Sequence, residues 1–130
     1  MTPVVQQFLA VALGGAVGAG GRYLVMVGFG HWFGHGFPWG TMVVNVVGSF
    51  ILGAFIETSA LVWSPSPELR SFIAIGILGA FTTFSAFSLD AYSLWMRGEA
   101  LGAFAYVAAS LILGIGALFA GLWCFRIILS

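Results

Sequence analysis

The sequence predicts an all-α membrane protein with four transmembrane helices in one domain covering residues 1–130, and three observations carry that prediction. Hydrophobic residues make up 61% of the chain against 6% charged, and mean hydropathy is +1.09, which leaves too little polar surface to coat a water-facing exterior. Short polar or Pro/Gly-rich links separate charge-poor stretches at about residues 4–27, 39–62, 71–95 and 100–126, each about long enough to cross a bilayer as a helix. All five tryptophans, Trp32, Trp39, Trp63, Trp95 and Trp123, fall in the links or at the ends of those stretches, where an amphipathic indole prefers the interface.

The N-terminal segment MTPVVQQFLA holds no Lys or Arg, so it lacks the charged region of a cleavable signal peptide and is expected to remain in the mature chain. Span one places Gly14, Gly18 and Arg22 at intervals of four, on one helix face. The small residues allow another helix to approach closely. Arg22 either points into the bundle or a vestibule, or snorkels to the interface from near the span end; in both cases it attracts anions. The link GFGHWFGHGFP holds His31 and His35. With no third ligand nearby they read as solvated loop histidines rather than as a metal pair.

Span two carries Thr41, Asn45, Ser49 and Gly53 at intervals of four, a small and polar stripe on a Val/Ile/Phe helix. Asn45 is expensive in lipid without partners, and it serves either to join helices or to donate to a dehydrated anion. In the second link, SPSPEL sets a sharp start for span three through Ser66 or the prolines. Span three holds GILGAFTTFSAFSLD, residues 76–90, in which Thr82, Thr83, Ser85 and Ser88 interleave with Phe81, Phe84 and Phe87 at mid-span. The residues admit two readings: a helix broken at its centre that lines a pathway, or an ordinary span whose hydroxyls bond back to their own helix carbonyls. Phe84 and Phe87, three apart, share a helix face, and ring edges turned toward a pore favour a small anion without trapping it. Span four adds Tyr106, Ser110 and Gly114 along one face, which packing alone also explains.

Several function classes lose support. Four Lys+Arg against four Asp+Glu give net charge zero, all four cations are Arg, and no basic tract exists for nucleic acid. The single cysteine, Cys124, permits neither an intrachain disulfide nor a multi-cysteine metal site. Nothing resembles a catalytic constellation, so an enzyme is not expected. Glu57 and Asp90 sit toward span ends, whereas a proton-coupled exchanger needs a carboxylate at a span centre. Arg70 and Arg126 lie toward one side and Arg22 and Arg97 toward the other, so positive charge sets no orientation. A chain that inserts both ways can pair antiparallel with itself, which predicts a dual-topology homodimer.

GAFTTFSAFSLD, together with GRY at residues 21–23 and GTMVVNVVGSF at residues 40–50, resembles the Fluc, or CrcB, family of fluoride channels in motif order and chain length. The resemblance implies a multi-pass protein of the bacterial plasma (inner) membrane that lets cytoplasmic fluoride leak out passively through two pathways enclosed by an antiparallel homodimer. It implies a structural Na+ on the dimer axis, held by the backbone carbonyls of Gly79 and Thr82. It further implies Phe84 and Phe87 as pore rings and Asn45 as the pore amide. Thr83, Ser85 and Ser88 fall on its polar track, Tyr106 and Ser110 on its fourth-span positions, and Arg22 near its vestibule. Asp90 stands where many members have Glu. The alternatives are a small dual-topology multidrug-type exporter, which lacks its central carboxylate here, and a membrane scaffold whose small-residue faces serve packing alone.

Overall fold

The computed structural model describes residues 1–130 and is all-helical. Four helices are long and apolar enough to cross a membrane: Pro3–Phe33, Trp39–Leu61, Pro67–Met96 and Ala100–Leu129. We label Pro3–Phe33 α1 and Trp39–Leu61 α2. The third span is composite. It comprises α3 (Pro67–Arg70), a π-helical segment (Ser71–Leu78), α4 (Gly79–Phe81) and α5 (Phe84–Met96), and α6 (Ala100–Leu129) forms the fourth.

Local sequence accounts for the helix ends. Thr2 caps α1 by accepting the Val5 N–H at 3.2 Å, with Pro3 in the first turn, where its missing N–H costs nothing. Ser66 does the same for α3, accepting from Leu69 at 3.2 Å ahead of Pro67. α1 runs past the expected residue 27, through Gly28, Gly30 and His31, because the stop is Gly34: at φ 74° it adopts the left-handed region and closes the helix onto the Gly30 carbonyl. His31 therefore belongs to the last turn of α1 and only His35 to the link. Gly98, at φ 80°, turns the chain between α5 and α6.

Packing rests on glycines where backbone meets backbone. A Cβ on Gly18 would overlap the Ile77 carbonyl, and one on Gly14 would overlap the Phe72 carbonyl and lie 3.0 Å from Gly76 Cα. α1 thus lies directly on the π-helical segment, as the Gly14/Gly18 face suggests. α2 and α6 run side by side in the same direction through a reciprocal pair, Gly53 under the Leu118 carbonyl and Gly121 under the Phe50 carbonyl. Such close approach is how helices associate where lipid removes the hydrophobic drive. Only 18 of 130 residues are buried, and Leu, Ile and Phe side chains cover the exterior, as expected of a surface that meets acyl chains. The interior cluster is Met42, Leu94, Ala103 and Tyr106, with Phe37 and Phe87 against it.

Gly18→Val is expected to destabilise the protein by roughly 1–3 kcal/mol, because backbone rather than a flexible side chain must move. Gly20→Ala, where nothing lies within 4 Å, serves as the neutral control. Thermal unfolding in detergent reads both, and equal melting of the two variants would refute the backbone-contact account.

Candidate ion pathway at the break in the third span

Span three is interrupted at Thr82 and Thr83, both in extended backbone (φ −85°, ψ 159° and φ −151°, ψ 125°). The Thr83 N–H, which would continue the helix onto Gly79, instead donates to Asn45 Oδ1 at 2.7 Å, and Asn45 Nδ2 donates to the Thr83 carbonyl at 3.0 Å. Asn45 thereby pairs with both backbone groups of one residue, as a neighbouring strand would. Arg22 Nε donates to the Ala80 carbonyl at 3.1 Å, placing a cation at the negative end of the upstream helix. Thr82 returns its hydroxyl to the Leu78 carbonyl at 3.0 Å, and Thr83 Oγ1 caps α5 by accepting from the Ala86 N–H at 3.1 Å. Three carbonyls at the break, those of Gly79, Phe81 and Thr82, accept no hydrogen bond within the chain. Gly79 lies on the exposed surface. A positive helix N-terminus and a negative C-terminus therefore meet inside the membrane.

α2, α5 and α6 border an open cavity of about 260 Å³ at this point, lined by Asn45, Ser49, Thr82, Thr83, Phe84, Phe87, Ser110 and the α6 residues Leu111, Gly114 and Ile115. Its polar groups differ in how far the protein satisfies them, the Thr82 hydroxyl being already bonded to Leu78. The Ser110 hydroxyl is buried with no protein partner. Asn45 has one amide N–H left after serving Thr83, because the Thr83 N–H fixes its oxygen on the other side. The Thr83 hydroxyl, which accepts from the Ala86 N–H, lies 3.4 Å from Ser85 Oγ, and either hydroxyl can donate to the other. Phe84, 77% exposed, and Phe87 form the apolar wall, with centroids 5.7 Å apart and planes at 53°. Behind them Tyr106, 0% exposed, packs on Phe87 at 5.3 Å and donates to Asp90 Oδ2 at 3.1 Å.

The structure thus gathers Asn45, Thr83, Phe84, Phe87 and Ser110 around one space and sets Tyr106 directly behind it. It does not bring every candidate there. Ser88 bonds back to the Phe84 carbonyl at 3.0 Å on the exposed side of α5. Ser85 is exposed beside Thr83, and Arg22 serves the break rather than lining the cavity. Ser49 lines the cavity although sequence reasoning did not single it out for the site. Its position one turn after Asn45 on the polar stripe was the available signal.

The family model described as CrcB-like protein, Camphor Resistance (CrcB), matches residues 9–122. The fluoride-specific ion channel FluC of Rhodospirillum centenum is 55% identical over 121 residues, covering 93% of this chain and 96% of that protein. The FluC proteins of Nitrobacter winogradskyi, 50% identical over 92% of this chain and 95% of theirs, and of Chelativorans sp., 53% identical over 93% and 97%, agree along the same length. With a family match over nearly the whole length and relatives at half identity, the chain belongs to the CrcB-like protein family.

Proposed function

We propose that this protein is a fluoride-selective passive ion channel that releases cytoplasmic fluoride across the bacterial plasma membrane. The observation that carries the reading is the cavity at the break, where the partnerless Ser110 hydroxyl and the Asn45 amide converge beside two phenylalanines. A small, strongly hydrated anion enters only if hydrogen-bond donors replace its water. The Asn45 amide, the Ser110 and Thr83 hydroxyls and the N-terminus of α5 are such donors. Phe84 and Phe87 contribute ring edges, which attract an anion weakly enough to let it leave. A larger halide forms weaker hydrogen bonds and fits the donor cluster less well. The names of the relatives, fluoride-specific ion channel FluC, support the choice of anion.

The working unit in this reading is an antiparallel homodimer with two pathways. Its support is the even split of Arg70 and Arg126 against Arg22 and Arg97, together with the exposure of Phe84 and of Gly79, whose unpaired carbonyl is costly against lipid. A Na+ at the subunit boundary fits the residues present: Gly79 and Thr82 are two of the three carbonyls that the break leaves unpaired. Their oxygens would hold it, and its charge would offset the carbonyl end of α4. A proton-coupled exporter is less well supported, because Glu57 is paired with Arg126 and Asp90 accepts from Tyr106, leaving no free carboxylate at a span centre.

Purified protein in liposomes is expected to pass fluoride along its electrochemical gradient with chloride excluded and without an imposed proton gradient; absence of flux from folded protein would overturn the channel reading. Phe84→Ile and Phe87→Ile keep bulk and remove the ring edge, and each is expected to lower flux by about tenfold or more, equivalent to about 1.4 kcal/mol on the barrier. Wild-type flux in both would remove the rings from the mechanism. Asn45→Asp loses the donor to Thr83 and sets an acceptor against the anion, so flux should drop at least as far, and normal throughput would count against the amide. Replacing Na+ by a large organic cation should lower both flux and melting temperature; indifference of both would dispose of the cation site.

A further inference from the structure

A large groove outside the pathway, apolar but for one ion pair, lies where α2 and α6 end together. It is a cavity of about 590 Å³ lined by Glu57, Phe119, Leu122, Trp123 and Arg126 among others, within the about 300–1,000 Å³ range of small-ligand sites. Glu57 is only 4% exposed, an unusual place for a carboxylate. One of its oxygens accepts from Arg126 Nε at 3.0 Å, and the other accepts no hydrogen bond. The Arg126 side chain is 67% exposed, and its two terminal amino groups are unengaged. Glu57 lies four residues before the end of α2 and Arg126 three before the end of α6. At ~1.5 Å per residue, both sit within about 6 Å of the span ends, at the depth of phospholipid headgroups.

We propose that this groove is a binding site for a phospholipid with a phosphoethanolamine headgroup. The charges match in kind. The free guanidinium N–H groups of Arg126 take the phosphate in the geometry that arginine presents to such oxyanions, and the open Glu57 oxygen accepts from the primary ammonium, which carries three N–H donors. The Glu57–Arg126 pair has no net charge and neither has the headgroup, so neither partner is left uncompensated. Phe119 and Trp123, one turn apart on the outer face of α6, are both mostly exposed and offer an apolar track to the acyl chains. A phosphocholine headgroup lacks N–H groups for Glu57, and a phosphoglycerol headgroup brings a net negative charge beside it.

The test is competition among chain-matched phosphatidylethanolamine, its N-methylated series, phosphatidylcholine and phosphatidylglycerol for the purified full-length protein, with retained lipid counted by native mass spectrometry. Wild-type protein is expected to retain phosphatidylethanolamine several-fold over the other two, with retention falling as methyl groups replace N–H. Glu57→Gln should bring phosphatidylethanolamine down to the phosphatidylcholine level, and Arg126→Gln should lower all the phospholipids together, while Arg70→Gln leaves the preference intact. Equal retention of phosphatidylethanolamine and phosphatidylcholine by the wild type overturns the proposal, as does a preference that survives Glu57→Gln. Absence of retained lipid, as when a second copy of the chain covers the groove, overturns it equally. The methylation series needs no variant, so misfolding of a mutant does not decide the outcome.

Discussion

A helix that stops inside a membrane must find new partners for the backbone groups it releases, because no water is there to take them. The interruption at Thr82–Thr83 meets this constraint in part, with side chains from two other spans. Asn45 from α2 takes both backbone groups of Thr83, and Arg22 from α1 takes the Ala80 carbonyl. The half-helices that result present opposite ends of their dipoles to one another. Backbone donors thus gather on the α5 side and unpaired carbonyls on the α4 side.

The two side chains reach the break only because the helices bearing them lie unusually close. Gly14 and Gly18 set α1 against the π-helical segment, which brings Arg22, on the same face, level with Ala80. Gly48 leaves room for the Thr82 methyl and the Phe81 ring, so α2 approaches near enough for Asn45 to bridge to Thr83. Gly53 and Gly121 dock α6 onto α2 and bring Ser110 to the far wall of the same cavity. Of the two uses that its sequence context left open, the structure gives Asn45 the joining of helices. One N–H and the oxygen join helices, and the second N–H has no partner within the chain.

Much of this is legible in the sequence. Hydropathy and the tryptophans located the spans, since crossing a bilayer constrains length and composition directly. The repeats at intervals of four on spans one and two identified faces that do make the close contacts, because helix periodicity places such residues together whatever the tertiary fold. Helix ends were less accurate. Gly28 and Gly30 look like terminators, but in α1 both continue the helix, and Gly34 stops it by adopting a positive φ that its predecessors do not. The destination of Arg22 was also undecided, since snorkelling to the interface and capping a carbonyl begin from the same helix position.

What the sequence determined by itself was the medium, the number of spans, the small-residue faces and the family, all properties of single helices or of residue order. Only the tertiary structure decided which carbonyls at the break remain unpaired, that Asn45 grips Thr83, that Ser110 is left without a partner, and that Glu57 meets Arg126 across two spans. The reason is physical: hydrogen-bond satisfaction is a property of pairs, and here the partners lie 38 to 69 positions apart in the chain. No local pattern encodes which of several polar side chains will arrive first. Helix packing, set by where the glycines allow backbones to touch, makes that choice.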